Sequence, residues 1–426
     1  MTSHACPGDD TGIELPIGPE ELAHGGRTFL TAALRAYGTL TPHNSVTAVT
    51  ELREVSGGST GRKALLSVSY ERPGAPSELF VKFSRDTTDP RRDRGREQMR
   101  PEIRLAALSR QPGFPITVPR TVFADYHRNT GTGILITERI PFGQNGIAPQ
   151  HHKCLDYEIP NAFEHYGSVV DALARLAGWQ RAGHVPPDQL DAFPVDLQAA
   201  TVGDAPALHR DRSARQATRL VEFVESHPGL FPEFAPGFLA TLPTELPKVV
   251  DHEPAVWRYL ATASDHLALC HWNANLDNAW FWRDEGGTLR CGLLDWGCVS
   301  RMNVAMALWG ALSAAEISLW DRHFDELTTR FAAQYAASGG PELDTDELAR
   351  QVLAYAGTMG VTWLLDTPAL ISARLGDTAR QLTRFDAPVR DDESLRAPLQ
   401  MLTNVLNLWQ TRDIGALLAS LGQTAR

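Results

Sequence analysis

Alternation of apolar and polar residues with period two is confined almost wholly to residues 46–140 of this 426-residue chain. That segregation constrains the fold more than any other feature. Period two sends successive side chains to opposite faces of a strand, whereas apolar spacing after residue 160 follows the helical period. Strands first and helices afterwards predict an α+β chain, with a small sheet lobe, a larger helical lobe and a cleft between them.

Three strands are expected at 46–54, 64–70 and 78–84. The alternations Leu66/Val68/Tyr70 and Leu79/Val81/Phe83 mark the second and third. Two more are expected at 118–125 and 133–139, giving a five-stranded antiparallel sheet with one helix inserted after the third strand. A helix over 19–36 precedes it, with Leu22, Phe29, Leu30, Ala33 and Leu34 on one side. Residues 1–18, rich in Gly, Pro and Asp, read as a flexible arm. The divisions are therefore a 1–18 arm, a 19–140 sheet lobe and a 141–426 helical lobe. Helical periods run over 169–181, 211–227, 236–242, 303–324, 346–365, 395–408 and 414–421. One β excursion, 279–294, turns at Glu285-Gly286-Gly287.

Hydrophobic residues make up 43% and charged residues 21%, which excludes a disordered chain. The net charge of −11 argues against general binding to nucleic acid or anionic membranes, and does not exclude a local basic pocket for a phosphorylated ligand. Five widely spaced cysteines form no CxxC pair, which suits a reducing cytoplasm. No signal-peptide pattern and no membrane-spanning apolar run is expected. His151-His152-Lys153-Cys154 offers soft ligands, but adjacent histidines do not readily face one metal.

Four features carry chemistry. The first is the joint Ser56-Gly57-Gly58-Ser59-Thr60-Gly61-Arg62-Lys63 between two strands. A Gly-Gly turn lets backbone N–H groups approach phosphate oxygens, and Ser59, Thr60 or Lys63 could add side-chain contacts; a plain hairpin has the same sequence. The second is Lys82, whose apolar neighbours leave an ammonium at the end of a buried stem, or else a lysine on the outer face of an edge strand. The third is His271-Trp272-Asn273-Ala274-Asn275-Leu276-Asp277-Asn278. The fourth is Leu293-Leu294-Asp295-Trp296-Gly297, where a carboxylate ends a strand. The plain readings of Asn278 and Asp295 are a turn residue and a helix cap, and that of Asp277 is a solvent-facing acid. The charged stretch 85–104 reads as a solvated loop and helix face.

In their order along the chain, these parts resemble the kinase fold, in its aminoglycoside phosphotransferase and choline kinase branch, and within it the ecdysteroid-kinase-like relatives. The resemblance covers roughly residues 15–310. It implies a kinase-like two-lobed fold and an ATP- and Mg²⁺-dependent phosphotransferase acting on a hydroxyl of a small molecule, its expected partner. Gly57, Gly58, Ser59 and Thr60 would cradle nucleotide, and Lys82 would hold the α/β-phosphates. Glu102 would pair with Lys82, with Glu97 as its competitor. Asn278 and Asp295 would ligate the metal, and His271 would brace the loop.

Asn273 departs from the family pattern, which has an aspartate there to accept the hydroxyl proton. A carboxamide orients a hydroxyl but is not a useful base near neutral pH. Phosphoryl transfer depends mostly on positioning and charge neutralisation, so the change does not abolish it on principle; Asp277 or a substrate group could take the proton. The alternatives are another reaction in the same cleft, such as adenylyl transfer or a phosphorylation-coupled biosynthetic step, and a non-catalytic ligand-binding member.

Overall fold

A computed structural model describes residues 6–55, 57–58, 60–198 and 207–424. The chain forms two compact units. The first comprises Met1–Ile147, Val185–Pro194 and Gly292–Val299, and the second Ala148–His184, Val195–Cys291 and Ser300–Arg426.

The first unit is built on a five-stranded antiparallel sheet. Helix α1 (Pro19–Ala36) precedes β1 (Val46–Val55), β2 (Arg62–Tyr70) and β3 (Glu78–Phe83). Helices α2 (Pro90–Arg94) and α3 (Met99–Leu108) follow, then β4 (Thr121–His127) and β5 (Thr132–Glu138). The spatial order is β1-β2-β3-β5-β4. Strand β4 begins at Thr121, three residues later than the alternation predicts; Pro119 has no N–H to give a ladder.

Strand parity decides what each face carries. Leu66 and Val68 of β2, Leu79 and Val81 of β3, and Ile134 and Ile136 of β5 bury themselves with Leu22, Leu30 and Leu34 of α1. The intervening residues point the other way. Lys63 is registered opposite Lys82, and Leu65 opposite Phe80. Helix α3 covers part of that second face, with Met99, Ile103 and Ala106 packed with Leu135 and Tyr126.

The expected flexible arm is corrected from residue 6 onward. Cys6 and Leu15 are buried, and Gly8 N–H donates to Ile13 O at 2.8 Å. The turn is fastened by Asp125 of β4, fully buried, which accepts from the backbone N–H groups of Asp10 (3.1 Å) and Thr11 (2.8 Å) and from Thr11 Oγ1 (2.5 Å). Composition read as loose because the acceptor that orders these residues lies more than a hundred positions away.

The second unit is mostly helical. It includes α4 (Ala162–Arg181) and helices at Arg210–Ser226, Val249–Thr262, Val304–Leu312, Ile317–Ala337, Thr345–Met359, Thr367–Leu375 and Glu393–Thr411. The single helix expected over 303–324 is two, broken at 313–316. Side chains of the Glu393–Thr411 helix satisfy the carbonyls freed there. Asn404 Nδ2 donates to Ser313 O and Ala315 O, both at 2.8 Å, and Gln400 Nε2 to Ala315 O at 3.1 Å. The helices at Val249–Thr262 and Thr367–Leu375 were not expected; Pro254 and Pro368 obscure their periods. Strand β6 (Leu267–Cys270) leads into the His271 loop. The expected hairpin is β7 (Ala279–Arg283) with β8 (Leu289–Leu293), and β9 (Ser300–Asn303) returns to pair with β6. No described helix is long and apolar enough to cross a membrane.

Asp125→Ala leaves buried N–H donors unpaired and is expected to cost about 2–3 kcal/mol. Hydrogen exchange should show the Asp10 and Thr11 amides losing protection before those of β4.

Candidate functional site

The sheet unit gathers its chemistry at Lys82. Its stem leaves the second face of β3, and its Nζ donates to Glu102 Oε1 at 2.7 Å and to Asp295 Oδ1 at 2.6 Å. Glu102 lies on the inward side of α3 and is 7% exposed. The same Oε1 accepts the Trp296 N–H at 3.2 Å, so one carboxylate ties strand, helix and the 293–297 segment together. That segment is anchored by Leu293 N–H donating to Thr117 O at 3.0 Å. Burial pushes Lys82 toward its neutral form, but Asp295 and Glu102 outweigh it and hold the ammonium well above the usual lysine range. The Asp295 side chain is 45% exposed. Its φ is +60°, in the left-handed region, a strained state for a non-glycine residue that clusters at functional sites.

Lys82, Glu102 and Asp295 line a small pocket together with Thr60, Lys63 and Gln98. Among the turn residues predicted to cradle a ligand, Thr60 faces the pocket. Gly57 and Gly58 form the turn, and Ser59 lies outside the described residues. Gly58 has φ +71°, and a β-carbon there would fall 1.7 Å from Lys63 Nζ, which donates to Gly57 O at 3.1 Å. The charged stretch is not simply solvated. Asp86 is buried, Arg85 Nε donates to Asp93 Oδ1 at 2.7 Å, and Arg92 pairs with Asp86 at 3.3 Å. Arg92 Nε donates to Gly61 O at 2.9 Å and its Nη2 to Gly57 O at 3.4 Å, so α2 braces the glycine turn. Nothing in the sequence singled Arg92 out among its neighbouring arginines. Glu97 accepts from Tyr126 OH at 2.8 Å, which leaves Glu102 as the α3 carboxylate at Lys82.

In the helical unit, β6 delivers the loop 271–278. His271 is fully buried, and its Nδ1 accepts the Asn273 N–H at 3.1 Å, as a brace would. Asn278 Nδ2 donates to Asn273 O at 2.8 Å, and Asn275 Nδ2 to Asn273 Oδ1 at 2.7 Å. Asn273 thus engages its side-chain acceptor inside the loop. Trp272 Nε1 donates to Tyr355 OH at 2.7 Å, and its carbonyl lies so close to Gly310 that a β-carbon there would fall 1.5 Å away. Asp277 is not a solvent-facing acid. It pairs with Lys153 at 3.5 Å, and its Oδ1 is buried without a hydrogen-bond partner. Burial raises its pKa against the pull of Lys153. His151 packs edge-on against His165 and beside Phe281, in an aromatic cluster.

No protein-family model and no curated protein matches this chain. Solved structures do. An aminoglycoside phosphotransferase complexed with GDP and kanamycin is 16% identical, with 85% of this chain and 98% of that one covered and a TM-score of 0.43. A choline/ethanolamine kinase family protein from Mesorhizobium loti is 15% identical, covering 94% and 99%, at 0.42. An ethanolamine kinase from Plasmodium vivax is 13% identical, covering 91% and 89%, at 0.44.

Lys82→Met strips a buried carboxylate of its cation and is expected to cost about 3–5 kcal/mol in urea unfolding. Lys82→Met/Glu102→Leu should recover most of that loss, because the buried charge goes with its partner. Gly310→Ala forces the Trp272 carbonyl away and is expected to cost about 1–3 kcal/mol, with the Trp272 indole fluorescence shifting as its bond to Tyr355 breaks.

Proposed function

We propose that this chain is a member of the aminoglycoside phosphotransferase and choline kinase branch that transfers a phosphoryl group from ATP, with Mg²⁺, to a hydroxyl of a small molecule. The observation that carries this reading is the Lys82 clamp. A strand lysine is held by a helix glutamate and by a strained aspartate 213 positions away, in a pocket beside a glycine turn.

The side chains suit the groups the reaction needs. The half-exposed Asp295 carboxylate is a hard oxygen donor, and Asn278, with its N–H committed to Asn273 O, has its carbonyl oxygen as the ligand end; such donors match Mg²⁺. The metal would supply charge neutralisation on the phosphate oxygens. Lys82 would bind phosphate oxygens, and Leu65 with Phe80, adjacent on the same sheet face, offers an apolar bed for the base. Asn273 would orient the acceptor by donating its amide N–H to the hydroxyl oxygen. It does not take the proton; a loose transition state asks for little proton removal before the phosphoryl group moves, and the proton then passes to a phosphate oxygen or to solvent.

Asn273 also motivates the second reading, in which the same residues serve adenylyl transfer, another biosynthetic step or ligand binding alone. Incubation with MgATP and a panel of small alcohols, with analysis of products, separates them. ADP is expected; pyrophosphate would indicate adenylyl transfer. Lys82→Ala and Asp295→Ala should each lower ADP formation by about 10²–10³-fold. Absence of metal-dependent ATP binding by calorimetry would overturn the proposal.

A further inference from the structure

We propose that Lys63 is a second phosphate-binding ammonium, stored under the glycine turn, that makes affinity rise with the number of phosphates on the ligand. The inference rests on the nucleotide-binding reading above and assigns a residue outside the Lys82 clamp. Three observations place it. Antiparallel register sets Lys63 of β2 directly opposite Lys82 of β3, so both side chains leave the same face of the sheet. Both line the same pocket. And Lys63 Nζ fills the space beside Gly58 that a side chain would otherwise claim, so the absent β-carbon makes room for an ammonium of the protein itself.

The charges around the pocket are unevenly matched. Arg62 is forked by Glu20 and Glu54, and Arg92 is held by Asp86 and the turn carbonyls. Glu102 and Asp295 both face Lys82. Lys63 has no carboxylate within ion-pair distance among the described residues. Its hydrogen-bond acceptor is one backbone carbonyl, Gly57 O, which Arg92 also contacts. Leaving that carbonyl therefore does not orphan it. Burial and then repulsion from Lys82 push the Lys63 pKa down, further than Asp295 and Glu102 raise it. An incoming polyphosphate supplies that charge, whereas a neutral ligand does not.

The test uses the full chain with Mg²⁺ and calorimetric titration of adenosine, ADP and ATP against wild type, Lys63→Met and Lys63→Arg. A charge-assisted contact of this kind predicts that Lys63→Met weakens ATP binding roughly 10- to 100-fold. Adenosine binding should stay within about twofold, and Lys63→Arg should restore most of the ATP affinity. Equal ATP affinity in wild type and Lys63→Met would overturn the inference and leave the proposed function standing. Parallel loss of adenosine binding would overturn it too, by making Lys63 a structural support. Failure of wild type to bind any of the three would overturn both.

Discussion

A single ammonium organises the sheet unit. Lys82 is drawn out of water by the strand that carries it, and it keeps its charge only because Glu102 and Asp295 stand within 2.7 Å. Each partner belongs to a different stretch of chain, so the need to compensate one buried charge fixes the inward side of α3 and the path of residues 293–297. The energetic value of such a group is not simply added stability. Desolvation consumes much of the attraction between buried ions. What the triad secures is position, because any shift of helix or loop leaves a charge without a partner.

The same logic extends outward with less burial. Arg92 reaches from α2 to two carbonyls of the glycine turn, and Arg85 holds Asp93, whose Oδ1 also accepts the Asp86 N–H at 3.0 Å. A stretch whose alternating signs look like a solvated face thereby becomes the brace of a turn. At the helical loop the fastening is neutral instead. Three asparagines and a buried histidine hold residues 271–278 by side-chain bonds to one another and to the backbone. A carboxylate at position 273 would bring a charge into that network; the amide oxygen accepts from Asn275 without one.

Much of this was legible in the sequence, for identifiable reasons. Strands declare themselves when one face is buried, as the Leu66/Val68 and Leu79/Val81 alternations do, and Asp295 stood out at a strand end between two leucines and a glycine. Glu102 and Glu97 could not be separated because a tight turn at Gly95–Gln98 resets the helical phase between them. Asp277 was misread because its partner, Lys153, is distant in sequence, and the N-terminal turn because Asp125 is. The break at 313–316 was hidden for the same reason: the residues that stabilise it, Gln400 and Asn404, belong to another helix. Local pattern reports which face is apolar; it does not report where a remote polar side chain will arrive.

The assignment of Gly292–Val299 to the sheet unit has a consequence for the order in which the protein comes into being. The five strands are all made by residue 138, yet Asp295 and Trp296 do not exist until well over a hundred further residues have been synthesised. At elongation rates of roughly 5–20 residues per second, synthesis of Asp295 follows that of the last strand by on the order of ten seconds. The unit is therefore vectorially incomplete, and its last piece arrives only after most of the chain has left the ribosome.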